Sequence, residues 1–212
     1  VDTPKVRSLI HAQFSVFYQK LLDEESAAKF LPSKLLDDTI KDNRRLALTS
    51  IYGLLSLIYP PRMIEVIAYD LKSSNASIRA NALEIIDNAF DSEIRTLLLA
   101  AVDNVSLQTK LEQAEKFFRL KEKSPDELVE EFLSSSDSWL AASALNAIAE
   151  NGLREFSAKA RDFLKSEDPL LRETALFVMS RFETAETLAA AAREAAQDPD
   201  STVRAYAKSF AA

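Results

Sequence analysis

The stretch SEDPLLRETALFVM, Ser166–Met179, decides how this chain folds. Asp168 stands where a carboxylate caps a helix N-terminus. Pro169 follows at the first helical position, where a missing N–H costs little. Leu171, three residues after the cap, is placed to face a core. Ala175, seven after it, is small enough to let a neighbouring helix come close. The same spacing recurs three times. Asn75 leads to Ile78, Arg79 and Ala82, Asp137 to Leu140, Ala141 and Ala144, and Asp200 to Val203, Arg204 and Ala207. The alanines Ala82, Ala144, Ala175 and Ala207 stand 62, 31 and 32 residues apart. The first gap is two periods long, so a degenerate unit is expected over 91–120, with Ala114 on register. Upstream, Arg44 and Ala47 keep the Arg-to-Ala spacing on a longer helix. A unit this short cannot bury its own apolar stripe and must stack on the next.

Outward from the repeat, the chain reads as helix almost throughout. Helices are expected over 4–22, 24–31, 33–58, 61–73, 76–90, 91–103, 106–120, 125–135, 138–151, 154–166, 169–182, 184–197 and 201–211, joined by short loops. No segment shows the alternation of a strand. The seven prolines fall at segment ends, and Ser124-Pro125-Asp126-Glu127 spells a capping box. There are two glycines, Gly53 and Gly152, where ordinary usage of about 7% would give roughly fifteen. Glycine-rich phosphate loops, dinucleotide folds and tight type I′ hairpins cannot be built from so few.

The repeat resembles HEAT-like repeats, especially the short form of about 30 residues per unit seen in phycobilisome-lyase-type repeat proteins. The clearest match is Ser166–Met179, followed by DPDSTVRAYA (Asp198–Ala207), and the likeness covers 61–212. Standard HEAT units are longer, at roughly 40 residues or more. The resemblance implies an all-α fold, a right-handed α-α superhelix of the HEAT/ARM solenoid type. One continuous domain is expected, with a long-helix part over 1–60 and repeats over 61–212. A second likeness is narrower. NRRLALTSIYGLLSLIYP (Asn43–Pro60) and IRANALEIIDNAF (Ile78–Phe90) resemble the HEAT-repeat region fused to bacterial ATP/ADP-translocase-like transporters. It implies a cytoplasmic domain tethered to the inner membrane through a preceding segment of a longer protein.

Composition narrows the function classes. The absence of cysteine removes thiolate nucleophiles, thiolate metal sites and redox motifs together, and fits a reducing compartment. Net charge is −7. Residues 1–120 carry 15 basic and 16 acidic side chains, against 11 and 17 over 121–212. No basic face offers itself for displacing counterions, so nucleic acid is not an expected partner, and a helical-repeat DNA glycosylase is disfavoured. The longest mostly apolar run, Leu46–Tyr59, falls short of the ~20 residues of a membrane span, so no insertion is expected within this chain.

The chemistry-bearing residues read mostly as scaffold. Asp37, Asp38 and Asp42 could bind a divalent cation, but acids near a helix start also favour its dipole. His11 is the single histidine, which offers neither a triad nor a histidine metal site. No catalytic, metal or cofactor-binding residues are therefore assigned. The arginines Arg79, Arg172 and Arg204 recur at one repeat position, either as a ladder for an acidic tail or as ties to neighbouring loops. Trp139 is either a half-exposed interface anchor or core filling. The expected function is a non-catalytic protein-interaction or scaffolding module whose second helices line a groove for a protein or peptide segment, basic in preference. The expected groove residues are Arg79, Glu84, Asn88, Asn146, Glu150, Arg172 and Arg181. The alternative is a phycobilisome-lyase-type subunit holding a bilin in that groove.

Overall fold

A computed structural model of the chain describes residues 1–210, and these form an all-α protein of twelve helices without a strand. In chain order they are α1 (Thr3–Phe30), α2 (Lys34–Leu55), α3 (Pro61–Asp70), α4 (Ala76–Ala89), α5 (Ser92–Val102), α6 (Leu107–Ala114), α7 (Pro125–Leu133), α8 (Ser138–Glu150), α9 (Ser157–Asp162), α10 (Pro169–Phe182), α11 (Ala185–Ala195) and α12 (Ser201–Lys208). Most expected ends are met within a few residues, and α10 is met at both. Ala211, the last residue of the final expected helix, lies outside the described residues.

Three segments differ from expectation. The break expected near residue 23 does not occur, and α1 runs 28 residues without interruption. Nothing there stops a helix, since no proline or glycine intervenes, and the buried Asp23 accepts a hydrogen bond from Gln19 Nε2 at 2.9 Å. The segment 106–120 is helical only as far as Ala114; beyond it, Phe118 turns into a core and lies 4.7 Å from the His11 ring. The segment 154–166 is one short helix, α9, between 3₁₀ turns at Arg154–Phe156 and Phe163–Lys165.

The chain forms two compact units. The first comprises Val1–Asp23 with Asp42–Glu122, and the second Glu24–Lys41 with Lys123–Ala212. The division drawn from the repeat, at 60/61, follows the chain, whereas these units take residues from both sides of it. Both α1 and α2 contribute to each unit.

The first unit is filled by aromatic and long aliphatic side chains. Phe14, Phe17, Tyr18, Ile51, Ile86 and Leu97 are essentially inaccessible. The Tyr18 hydroxyl donates to the Leu97 carbonyl at 2.6 Å, and burial pushes its pKa far above the usual value. At the rim, Arg7 Nη1 lies 2.5 Å from Asp91 Oδ2, and the Tyr59 hydroxyl donates to the same oxygen at 3.0 Å. Burial alone would raise the Asp91 pKa, but hydrogen bonds from Arg7, the Ile94 N–H and Tyr59 outweigh it and hold the group below the ordinary carboxylate range. His11 Nδ1 sits 2.6 Å from Glu93 Oε1.

The second unit is packed with small residues. In α8, Ala141, Ala144, Leu145, Ala147 and Ile148 are wholly buried. The second helices follow one another side by side, α8 against α10 and α10 against α12, with α7 on α8 and α11 on α12. The buried hydroxyls of Thr39 and Ser143 meet at 2.9 Å, and within its own helix each donates to the carbonyl four residues before it, Leu35 and Trp139. Asn151 Nδ2 donates to the carbonyls of Pro32 and Ala147. Gly152, at φ +69°, ends α8 in the left-handed conformation that glycine adopts without steric cost.

The repeat spacing has a direct structural cause. Ala82, Ala114, Ala144, Ala175 and Ala207 all have no accessible surface. The aliphatic position is buried in Leu140, Leu171 and Val203 but exposed in Ile78. Each capping Asx side chain accepts the N–H two residues on, from Asn75 to Ser77, Asp137 to Trp139, Asp168 to Leu170 and Asp200 to Thr202. Two residues before each cap a second acceptor, Ser73, Ser135, Ser166 or Asp198, takes the cap's own N–H. In the degenerate unit the cap is Ser106, eight residues before Ala114 rather than seven.

Candidate functional site

The candidate site lies on one face of the helices that the Asx caps begin. At roughly 100° per residue, positions 2, 5, 6, 9 and 13 after a cap share one helix face, while position 4 lies roughly 150° round from it. Arg79, Arg172 and Arg204 occupy position 4. Each turns back to its own loop. Arg79 Nη1 donates to the Ser73 carbonyl at 2.7 Å, Arg172 Nη1 to the carbonyls of Ser166 and Glu167, and Arg204 Nη1 to those of Asp198 and Pro199. Arg172 also forms a two-point pair with Asp198, both bonds at 2.7 Å, with the side chains 11% and 9% exposed. The guanidinium holds the Asp198 carboxyl below the usual range. Likewise the Ser138 hydroxyl and then the Leu170 N–H hold Asp168 down, which ties the cap of α10 to the first turn of α8. The geometry favours the structural reading of these arginines over the ladder.

The shared face carries a different set. On α8 it presents Trp139, Asn146 and Glu150; on α10, Glu173, Phe177 and Arg181; on α12, Tyr206. Trp139, Asn146, Glu173, Phe177 and Tyr206, joined by Leu35 from the first turn of α2, line a cleft of about 230 Å³. Trp139 is 52% exposed, so its indole is not core filling. Its position follows from the cap, because its own N–H is the one that Asp137 accepts. Glu173 is the one charged residue lining the cleft among the described residues. The Arg181 guanidinium lies 5.3 Å from the centroid of the Phe177 ring, at cation–π distance, on the next turn of α10. Burial, then the Glu173 charge, raises the Tyr206 pKa, and Arg181 opposes it.

The expected groove residues are thus sorted. Asn146 lines the cleft, Arg181 stands at the lining ring of Phe177, and Glu150 is exposed one turn beyond Asn146 on α8. Glu84 and Asn88 share a shallow exposed hollow on α4 of the first unit with Asn81 and Ile85. Arg79 and Arg172 are committed to loops. Sequence reading did not select Glu173, Phe177, Tyr206 or Leu35. For Phe177 a signal was present, since it holds the register position of Glu84 and Asn146, nine residues after the cap.

The acids near the start of α2 form helical ion pairs with Lys34, Lys41 and Arg45 at 2.8, 2.5 and 2.7 Å. Among the described residues no three histidine or acidic side chains converge as a metal site would require. No helix among them is long and apolar enough to cross a membrane. Fold and site together define an all-helical protein with an internal repeat and an apolar cleft on one layer of helices. Comparison of the chain with protein-family models, curated proteins and solved structures finds no match.

Proposed function

We propose that this chain is a HEAT-like helical-repeat module, of the right-handed α-α superhelix type, that binds a protein or peptide segment and carries out no catalysis. The docking surface is the second-helix face of the second unit, centred on Trp139. The observation that carries this reading is the half-exposed indole at the mouth of an apolar cleft, beside Leu35, Phe177 and Tyr206. Large aromatics seated in pockets are the usual anchors of protein interfaces. The supporting shell is rigid, because caps, buried alanines and the Arg172–Asp198 pair fix the helices that present these side chains.

A photo-cross-linking residue placed at position 139 tests the proposal against one at Tyr69, a 77% exposed aromatic of the first unit. Discrete protein adducts in a lysate of its own cells are expected from position 139 and not from position 69. Equal labelling from both positions, or labelling from position 69 alone, contradicts it.

A further inference from the structure

The two compact units differ in charge more sharply than the two halves of the sequence do. The first unit carries 13 basic and 13 acidic side chains, the second 13 basic and 20 acidic. The entire net charge of −7 therefore belongs to the unit that holds the cleft. Among the described residues Glu173 is the single charged side chain lining the cleft, and no basic one lines it. Among the described residues no hydrogen bond or ion pair occupies the Glu173 carboxylate. The nearby Arg181 is over Phe177 instead. The remaining lining is mostly aromatic and aliphatic; its other polar groups are the Asn146 amide and the hydroxyls of Ser143 and Thr174, which donate to the Trp139 and Leu170 carbonyls of their own helices.

A carboxylate with no cationic partner, set among Trp139, Phe177 and Tyr206, suits a cationic side chain arriving on another molecule. Aromatic faces attract cations through their quadrupole, and the carboxylate adds a charge-assisted hydrogen bond. Leu35 and Leu170, which also line the cleft, offer aliphatic contact to an apolar neighbour on the same segment.

Resting on the docking reading above, we infer that Glu173 determines specificity in this cleft, selecting an amphipathic segment that presents a lysine or arginine beside an apolar side chain. Opposite charge steers such a segment towards the acidic unit from a distance. Glu173 then fixes its register by pairing with one cation, and Trp139 covers the apolar neighbour. An acidic or phosphorylated segment would meet repulsion at both stages.

Trp139 is the only tryptophan of the chain, so its fluorescence reports on the cleft alone. The full chain is titrated with three tryptophan-free amphipathic helical peptides of about four turns, in which leucine alternates in helical register with lysine, glutamate or glutamine. The Leu/Lys peptide is expected to give a saturable blue shift of the Trp139 emission, and the Leu/Glu peptide none. Glu173→Gln should weaken the Leu/Lys peptide roughly fivefold, the scale of one partly exposed ion pair, and leave the Leu/Gln peptide unaffected. Glu194→Gln removes the same charge from α11, outside the cleft, and should change Leu/Lys binding less than about twofold. Equal losses in the two variants would reduce the effect to diffuse charge and overturn the inference. So would equal binding of Leu/Lys and Leu/Gln peptides, while the docking reading survived. Failure of all three peptides to perturb Trp139 would overturn the docking reading itself.

Discussion

The two compact units solve the same packing problem with different side chains. The first fills its core with Phe14, Phe17, Tyr18, Phe90 and Phe118; the second relies on Ala141, Ala144, Ala147, Ala160 and Ala175. Bulky rings must be fitted individually, and the chain bends to place them, as at Phe118 after α6. Alanines let helices approach in one repeated manner, so the second unit keeps its 31–32-residue register through α8, α10 and α12. Regular stacking aligns position 9 of one helix with position 9 of the next, and this alignment sets Asn146 and Phe177 into one cleft. The charge difference follows the same division, with a neutral unit of irregular packing and an acidic unit of regular packing.

The contrast can be broken most forcefully in the first unit. Phe14→Ala removes a fully buried ring and should cost about 4 kcal/mol of unfolding free energy, measured by urea denaturation. A cost below ~1 kcal/mol would mean that the aromatic core carries little of the stability.

The second unit is tested next through its loops. Arg172→Ala leaves Asp198 without its two-point partner and frees the carbonyls of Ser166 and Glu167. The expected cost is about 3 kcal/mol. The sign of its pH dependence is fixed by the lowered Asp198 pKa. A depressed carboxylate contributes stability above its unfolded value of about 3.9 and loses it as pH falls through the folded value. The unaltered protein should therefore lose stability as pH drops below about 4 more steeply than Arg172→Ala does. Parallel pH profiles would show that the pair contributes nothing.

The smallest effects come from the two glycines. Gly152→Ala forces a side chain into the left-handed region and should destabilise by about 1 kcal/mol. Gly53 lies inside α2, and an added Cβ would meet nothing within 4 Å. Gly53→Ala should accordingly raise the thermal midpoint, by up to about 1 kcal/mol in free energy. A midpoint that falls instead would point to a hidden close approach at α2.

Much of this was legible in the sequence, for physical reasons. Caps and prolines are local chemistry, so Asp168-Pro169 placed α10 and Ser124-Pro125 placed α7 with its capping box. The buried alanines were legible because their spacing repeats. The continuity of α1 was not, since the run Asp23-Glu24-Glu25 resembles a surface break while Asp23 is in fact buried beside Gln19. Nor was the end of α6, which depends on where Phe118 finds space in a core made by α1. The cleft was half legible. Trp139 and Asn146 stood out on one helix, but Glu173 and Tyr206 join them only through helix-to-helix stacking, which no local pattern encodes. The arginines drew attention by recurring, and each one bonds to carbonyls of the loop before its helix.

Amide hydrogen exchange of the full chain with and without the Leu/Lys peptide locates the docking face. A docking face confined to the second helices of the acidic unit predicts slower exchange in α8, α10 and α12, with α3, α4 and α5 unchanged. Protection centred on α4 or α5, or spread evenly over both units, would contradict it.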